Sequence, residues 1–188
     1  MDKALAHARA NPGKIVLLYQ DEASLYRQPT QASLYCPRGR QQPRLSYACG
    51  ANTVMRVAGF LDACTAKVHA WDSSKITAAR LAKYLKEVAA AYPAAEKIYV
   101  VMDNWPVHFH EKIERVLQAD PRLVQLPLPT YAPWLNPIEK LWRLIKQKLV
   151  HAHPLSADFN QFKNTVRKLL KEPTTEPMQL LRYVGLFC

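Results

Sequence analysis

Lys97-Ile98-Tyr99-Val100-Val101-Met102-Asp103 is a β-branched, apolar run that stops on an acid, and Lys14-Ile15-Val16-Leu17-Leu18-Tyr19-Gln20 does the same at Asp21-Glu22. Short, nearly continuous apolar runs of this kind read as buried strands. If the two are parallel neighbours, both carboxylates emerge at one sheet edge, which is where open α/β sheets place their ligands.

Outward from these strands, residues 54–61 and 67–71 read as two antiparallel strands joined by a tight turn at 62–65. Ser73 or Ser74 is expected to cap a helix in which Leu81, Tyr84, Leu85, Val88 and Tyr92 share one face, stopping at Pro93. A short helix over 111–118 and a strand over 123–126 follow the second acid-ended strand. Asn136-Pro137-Ile138-Glu139 opens a further helix with the apolar stripe Ile138, Leu141, Trp142, Ile145 and Leu149. Two helical segments, 157–171 and 177–184, complete the chain, while the Pro-, Gly-, Gln- and Ser-rich residues 23–51 hold one short strand at 33–36. This order predicts the α/β class, a mixed sheet flanked by helices.

A length of 188 residues suits one domain with a substantial core, so residues 1–188 are expected to form a single domain. No apolar run approaches the roughly 20 residues that cross a bilayer, and Met1-Asp2-Lys3 opens no signal-peptide core. A soluble, cytoplasmic protein with no membrane partner is expected. Cys36, Cys49, Cys64 and Cys188 show neither the close pairs of a zinc site nor the density of a disulfide scaffold, which points to reduced thiols. Lys and Arg number 26 against 15 Asp and Glu, a net charge of +11 that suggests a polyanionic partner, nucleic acid first, with solubilising surface charge as the equal alternative.

Glu139, in the first turn of its helix, is placed to join Asp21 and Asp103 at the shared edge. Three carboxylates brought together repel unless a cation compensates them, which argues for a hard ion with oxygen ligands, Mg²⁺ or Mn²⁺. Each acid has a plainer reading too. Asp21 and Asp103 are also good turn-capping residues at strand ends. Glu139 stands three residues after Asn136, the spacing of a capping box, and four before Arg143, the spacing of a helical ion pair. Periodicity does not choose between these readings.

Tyr19-Gln20-Asp21-Glu22, then Val101-Met102-Asp103-Asn104 followed by His108, then Leu128-Pro129-Thr130-Tyr131-Ala132-Pro133-Trp134-Leu135-Asn136-Pro137-Ile138-Glu139-Lys140-Leu141-Trp142, together resemble the catalytic domain of the Tc/mariner superfamily, and within it the bacterial insertion-sequence transposases. The segment 38–71 is also similar to its family counterpart, so the resemblance covers nearly the whole chain. It implies an RNase H-like, mixed five-stranded sheet flanked by helices, and a transposase that cuts transposon ends and joins them to target DNA. The family's three metal ligands fall on Asp21, Asp103 and Glu139. The implied mechanism uses two Mg²⁺ or Mn²⁺ ions, with Asp21 bridging both and Asp103 and Glu139 each completing one shell. Glu22, Asn104 and His108 lie beside these ligands; His108 is expected to orient a phosphate or water, or else to be a solvated loop histidine. Ala132 stands where Ser is common in the family and Trp134 where an acid is common, which affects local substrate contacts.

DNA phosphates are expected along Lys140, Arg143, Lys146 and Lys148, and along Lys163, Arg167, Lys168 and Lys171, with a solvated helix face as the alternative for each group. Trp105 and Trp134 flank the acids, to pack in a core or lid or to stack on an unpaired base. The pairs His108/His110 and His151/His153 lack the Cys that would complete a softer metal site. The family usually carries helix-turn-helix modules ahead of the catalytic domain; here the first strand begins at Lys14, so these modules are expected to be absent. A homodimer in the transposition complex is a further expectation. Two other functions compete: an RNase H-fold nuclease that cuts without joining, and an inactive DNA-binding remnant that keeps its basic faces but not its acids.

Overall fold

The β-branched, apolar runs form strands β1 (Ile15–Tyr26), β2 (Val54–Asp62), β3 (Val68–Ser73), β4 (Lys97–Met102) and β5 (Leu123–Pro127). In the computed structural model, which describes residues 2–30, 38–39, 47, 53–130, 132–151, 153–173 and 176–187, they make one sheet in the order β3-β2-β1-β4-β5. The three strands β1, β4 and β5 run parallel, and β1-β2 and β2-β3 pair antiparallel, so the sheet is mixed as expected. The expected strand at 33–36 lies outside the described residues.

β1 departs from expectation in a way that shapes the site. It does not end at Asp21 but continues to Tyr26, because β2 goes on satisfying its backbone after β4 has ended. The parallel pairing with β4 stops at Tyr19↔Val101, and beyond it β1 and β2 form a two-stranded ribbon. Asp21 therefore sits in mid-strand, at the level where the neighbouring strand gives out.

Side chains alternate across the sheet. Leu17, Tyr19, Ala23 and Leu25 face a core built with helices α4 (Ile138–Ile145), α5 (Phe159–Lys171) and α6 (Pro177–Val184). Val16 and Leu18 face a second core with α2 (Ala78–Ala90) and α3 (Glu111–Ala119). α2 is capped by Thr77, whose hydroxyl accepts from the Arg80 N–H; the Ser73 hydroxyl instead donates to the Lys75 carbonyl at 2.8 Å. An additional helix, α1 (Asp2–Ala10), buries only Ala4 and Ala8, too small a stripe to stand out in the sequence.

α4 carries the strongest anchor. Ile138, Leu141, Trp142 and Ile145 are all buried, each contributing roughly 1.5–3 kcal/mol. A widened π turn, Lys146–Val150, follows and buries Leu149 and Val150. The Thr30 N–H donates to the Val150 carbonyl at 3.1 Å, tying the end of α4 to the chain beyond β1. Among the described residues no helix is long and apolar enough to cross a membrane.

Candidate active site

Asp21 from mid-β1, Asp103 just past β4 and Glu139 in the first turn of α4 line one pocket of about 260 Å³, together with Asn104 and Asn136. The register explains the convergence of the two aspartates. Two residues beyond the last parallel pair, Tyr19↔Val101, bring the chain to Asp21 and Asp103.

Asp21 is held from α4. The Trp142 indole N–H donates to its Oδ2 at 2.9 Å. Gly59 is the cross-strand partner of Asp21, and a Cβ there would lie 2.5 Å from Trp142 Cη2, so the glycine makes room for the ring. Asn136 is buried and donates through Nδ2 to the Gln20 carbonyl at 3.0 Å, clamping the start of α4 onto β1. This contact takes the place of the capping box: the Glu139 N–H reaches only the Asn136 backbone carbonyl, at 3.1 Å. Glu139 forms no ion pair with Arg143 among the described residues. Neither plain structural role read for the Glu139 side chain is present.

Burial, then the charges of Glu139 and Glu22, push the Asp21 carboxyl up to about 8. The hydrogen bonds from the Glu22 backbone and Trp142 oppose this shift, and among the described residues no Lys or Arg does. A pocket lined by carboxylates and, among the described residues, by no Lys or Arg fits a hard divalent cation with oxygen ligands. Asp103 is half exposed; its Oδ1 accepts from the Trp105 N–H at 3.0 Å and lies 3.0 Å from His108 Nδ1. With Asp103 turned this way, no three His, Cys, Asp or Glu side chains among the described residues close on a single ion.

Glu22 faces the opposite side of the ribbon from Asp21. Gln20 Nε2 donates to it at 2.7 Å, and His108 Nε2 lies 3.5 Å away. His108 is fully buried rather than solvated, because a 3₁₀ turn, Pro106–Phe109, folds it back to the end of β4. Burial disfavours its charged form, but contacts with Glu22 and the Asp103 carbonyl and carboxylate outweigh that and raise its pKa. The Asn104 amide donates to the Leu128 carbonyl at 2.7 Å and to Thr130 at 3.2 Å, joining two walls of the pocket.

His110 caps α3 by accepting from the Lys112 N–H, and buried His153 accepts from the Leu155 N–H. Arg143 and Lys146 line a groove of about 270 Å³ that shares Glu139 with the acid pocket, along with His151. Lys148 donates to the Pro173 carbonyl at 2.7 Å, and Lys140 is exposed outside that groove. Arg167 is occupied by a two-pronged pair with Asp72, 2.8 Å on each arm. Trp134 is 75% exposed and Trp105 36%, so neither is a core residue.

In the sequence Trp142 belongs to the apolar stripe, and Asn136 and Gln20 stand in the motifs beside the acids, but none of them, nor Gly59, is assigned there the contacts they make to Asp21 and α4. Two signals pointed to them: a buried indole N–H needs an acceptor, and a glycine inside a strand marks a close approach.

Residues 16–169 match the family described as DDE superfamily endonuclease. An insertion element IS630 protein of 39 kDa from Shigella sonnei is 26% identical over 141 residues, which cover 75% of this chain and 40% of that protein. The fold is similar to the Mos1 transposase in a paired-end complex with the left transposon end, with TM-score 0.67, 15% identity, and coverage of 98% of this chain and 55% of that one. It is also similar to the isolated catalytic domain of Mos1 mariner transposase, with TM-score 0.63, 13% identity, and coverage of 98% and 82%. The chain thus spans well under two thirds of the insertion-element relative and of the longer Mos1 chain. The RNase H-like transposase fold is present. With a mixed five-stranded sheet of this order and a family match over most of its length, the chain belongs to the DDE superfamily endonucleases.

Proposed function

We propose that residues 1–188 act as one catalytic unit of a Tc/mariner-type transposase, cutting DNA at transposon ends and joining the ends to target DNA in the cytoplasm. The observation that carries this reading is the convergence of Asp21, Asp103 and Glu139, from three different elements, on one pocket that no Lys or Arg among the described residues lines. Asp21 would be the ligand shared by two divalent ions, with Asp103 and Glu139 completing one each. Such an arrangement asks each ion for two of these carboxylates rather than three. Divalent ions bound there would supply a lowered pKa for the attacking water or 3′-hydroxyl and stabilisation of the leaving oxygen.

The chain's own groups supply the geometry. Trp142 orients Asp21, Asn136 fixes the helix that bears Glu139, and His108 with Asn104 sets the loop that bears Asp103. The net charge of +11 and the Arg143/Lys146 groove beside Glu139 draw the DNA backbone toward the acids. The similar Mos1 transposase is solved in a paired-end complex, and a homodimer of this chain would supply one such pocket to each of two ends.

The test replaces Asp21 and Asp103 with Asn, and Glu139 with Gln, one at a time. Each variant is expected to lose Mg²⁺- and Mn²⁺-dependent cleavage while remaining folded; cleavage that survives in all three removes the proposal. A strand-transfer assay on a precut end separates a transposase from a nuclease of the same fold, which would cut and not join.

A further inference from the structure

A second cleft lies against the acid pocket and has no role in the reading above. On the face of the ribbon that carries Glu22, the apolar core ends at Ala58, Phe60 and Met102. Past that limit Glu22, Ser24, Arg56, Lys75 and Trp105 line a cleft of about 410 Å³, a volume in the range of ligand sites. Ser24 and Arg56 are cross-strand partners, so their side chains emerge on the same face.

Arg56 is half-buried on β2, and among the described residues it forms no ion pair. A guanidinium so placed presents a planar fork of donors suited to a phosphate. Lys75 is exposed, and its backbone carbonyl is fixed by the Ser73 hydroxyl and by Arg80, while its ammonium is in no ion pair among the described residues. The one carboxylate among the described residues of the cleft, Glu22, already faces Gln20 and His108.

Trp105 lines this cleft and the acid pocket alike. Its ring is braced edge-on against buried His108, with centroids 5.6 Å apart at 84°. A braced, partly exposed indole beside two cations is the combination that binds single-stranded nucleic acid: stacking on the base and charge on the backbone.

We propose that this cleft is a subsite for the unpaired DNA strand leaving the cut, with Arg56 and Lys75 holding its phosphate and Trp105 stacking on its base. The inference rests on the transposase reading and adds a path to it. The Arg143/Lys146 groove takes the backbone on the α4 side of the acids, and the Arg56/Lys75 cleft takes it on the other. A phosphorus held on both sides is positioned for in-line attack.

The experiment measures fluorescence anisotropy of a labelled blunt duplex and of the same duplex with a short single-stranded tail, in Ca²⁺ and over a range of salt. The wild-type chain is expected to prefer the tailed duplex. R56A and K75A should each weaken that preference several-fold and flatten the salt slope for the tailed duplex by roughly 0.7–0.9 per lost contact. W105A should abolish the preference with the slope unchanged, and W105F should retain it. K83A, at an exposed α2 lysine that lines neither this cleft nor the acid pocket, serves as the charge control and should leave the preference intact. Thermal unfolding checks each variant; Lys75 is exposed, so K75A decides the matter if R56A does not fold. Equal binding of blunt and tailed duplexes by the wild type, or a preference that survives K75A, overturns the subsite while leaving the acids' role standing. Loss of the transposase reading would show separately, as absence of Mg²⁺-dependent cleavage by the wild type.

Discussion

Replacing Asp21 with Asn is expected to make the metal-free protein more stable at neutral pH, although it removes the central acid of the site. In the unfolded chain this carboxyl ionises near pH 4, whereas in the fold burial and the charges of Glu139 and Glu22 push it up to about 8. Between those values the folded protein binds a proton that the unfolded chain has released, so stability falls as pH rises and levels off above about 8. At pH 7 the loss is about 4 kcal/mol, from 1.36 kcal/mol per pH unit across the interval. Asn carries no such penalty and can still accept from the Trp142 indole. In a chelating buffer at pH 7, D21N should therefore melt higher than wild type by on the order of 10 °C, at 2–4 °C per kcal/mol for a chain of this size. The gap should close as the pH approaches 4. Mg²⁺ should raise the melting temperature of the wild type far more than that of D21N, and its apparent affinity should climb with pH until about 8, because binding displaces the proton. A D21N protein no more stable than wild type at pH 7 without metal, or a gap indifferent to pH, would refute the argument from burial and charge.

Gly59→Ala drives a methyl against the Trp142 ring and should cost about 1–3 kcal/mol in urea unfolding. In the double variant with Trp142→Phe the costs should not add, because the smaller ring vacates the contested space. Asn136→Ala removes the buried bond to the Gln20 carbonyl and should cost about 1–3 kcal/mol; kcat for DNA cleavage should fall more than KM rises, since the helix carrying Glu139 loses its clamp. R143A and K146A should each reduce the salt dependence of DNA binding by roughly one phosphate contact, whereas R167A, already paired with Asp72, should leave it unchanged.

The strands and amphipathic helices were legible because their signal is local. Short β-branched, apolar runs and the 3.6-residue stripe identified β1, β2, β4, β5, α2 and α4, whereas the parallel pairing of β1 and β4 was only a condition of the sequence reading and is supplied by the structure. The extent of β1 was not legible. Glu22, Ser24 and Tyr26 look like the start of a polar loop, and only the long-range pairing with β2 keeps them in a strand. The same limit hid the posture of His108. Nothing nearby in sequence shows that a loop histidine will be wholly buried against Glu22, 86 positions away. Glu139 was ambiguous for the opposite reason, since two local roles fitted its spacing, and both proved absent once Asn136 was engaged by β1.

The continuation of β1 past β4 has a mechanical consequence for the site. Because Asp21 lies in mid-strand, its backbone is fixed by β2, while its side chain is fixed by Trp142 on α4. Glu139 and Trp142 stand three residues apart on that helix, so they share a face. One rigid element therefore presents one carboxylate and orients another. A shift of α4 moves Glu139 and, through the indole, turns Asp21 with it, so these two carboxylates respond together. Asp103 sits on a separate loop, held by His108 and by the Asn104 link to Leu128. Two acids coupled through a helix and a third on an independent support is an arrangement in which changes at Gly59, Asn136 or Trp142 should disturb Asp21 and Glu139 jointly, and changes at His108 or Asn104 should disturb Asp103 alone.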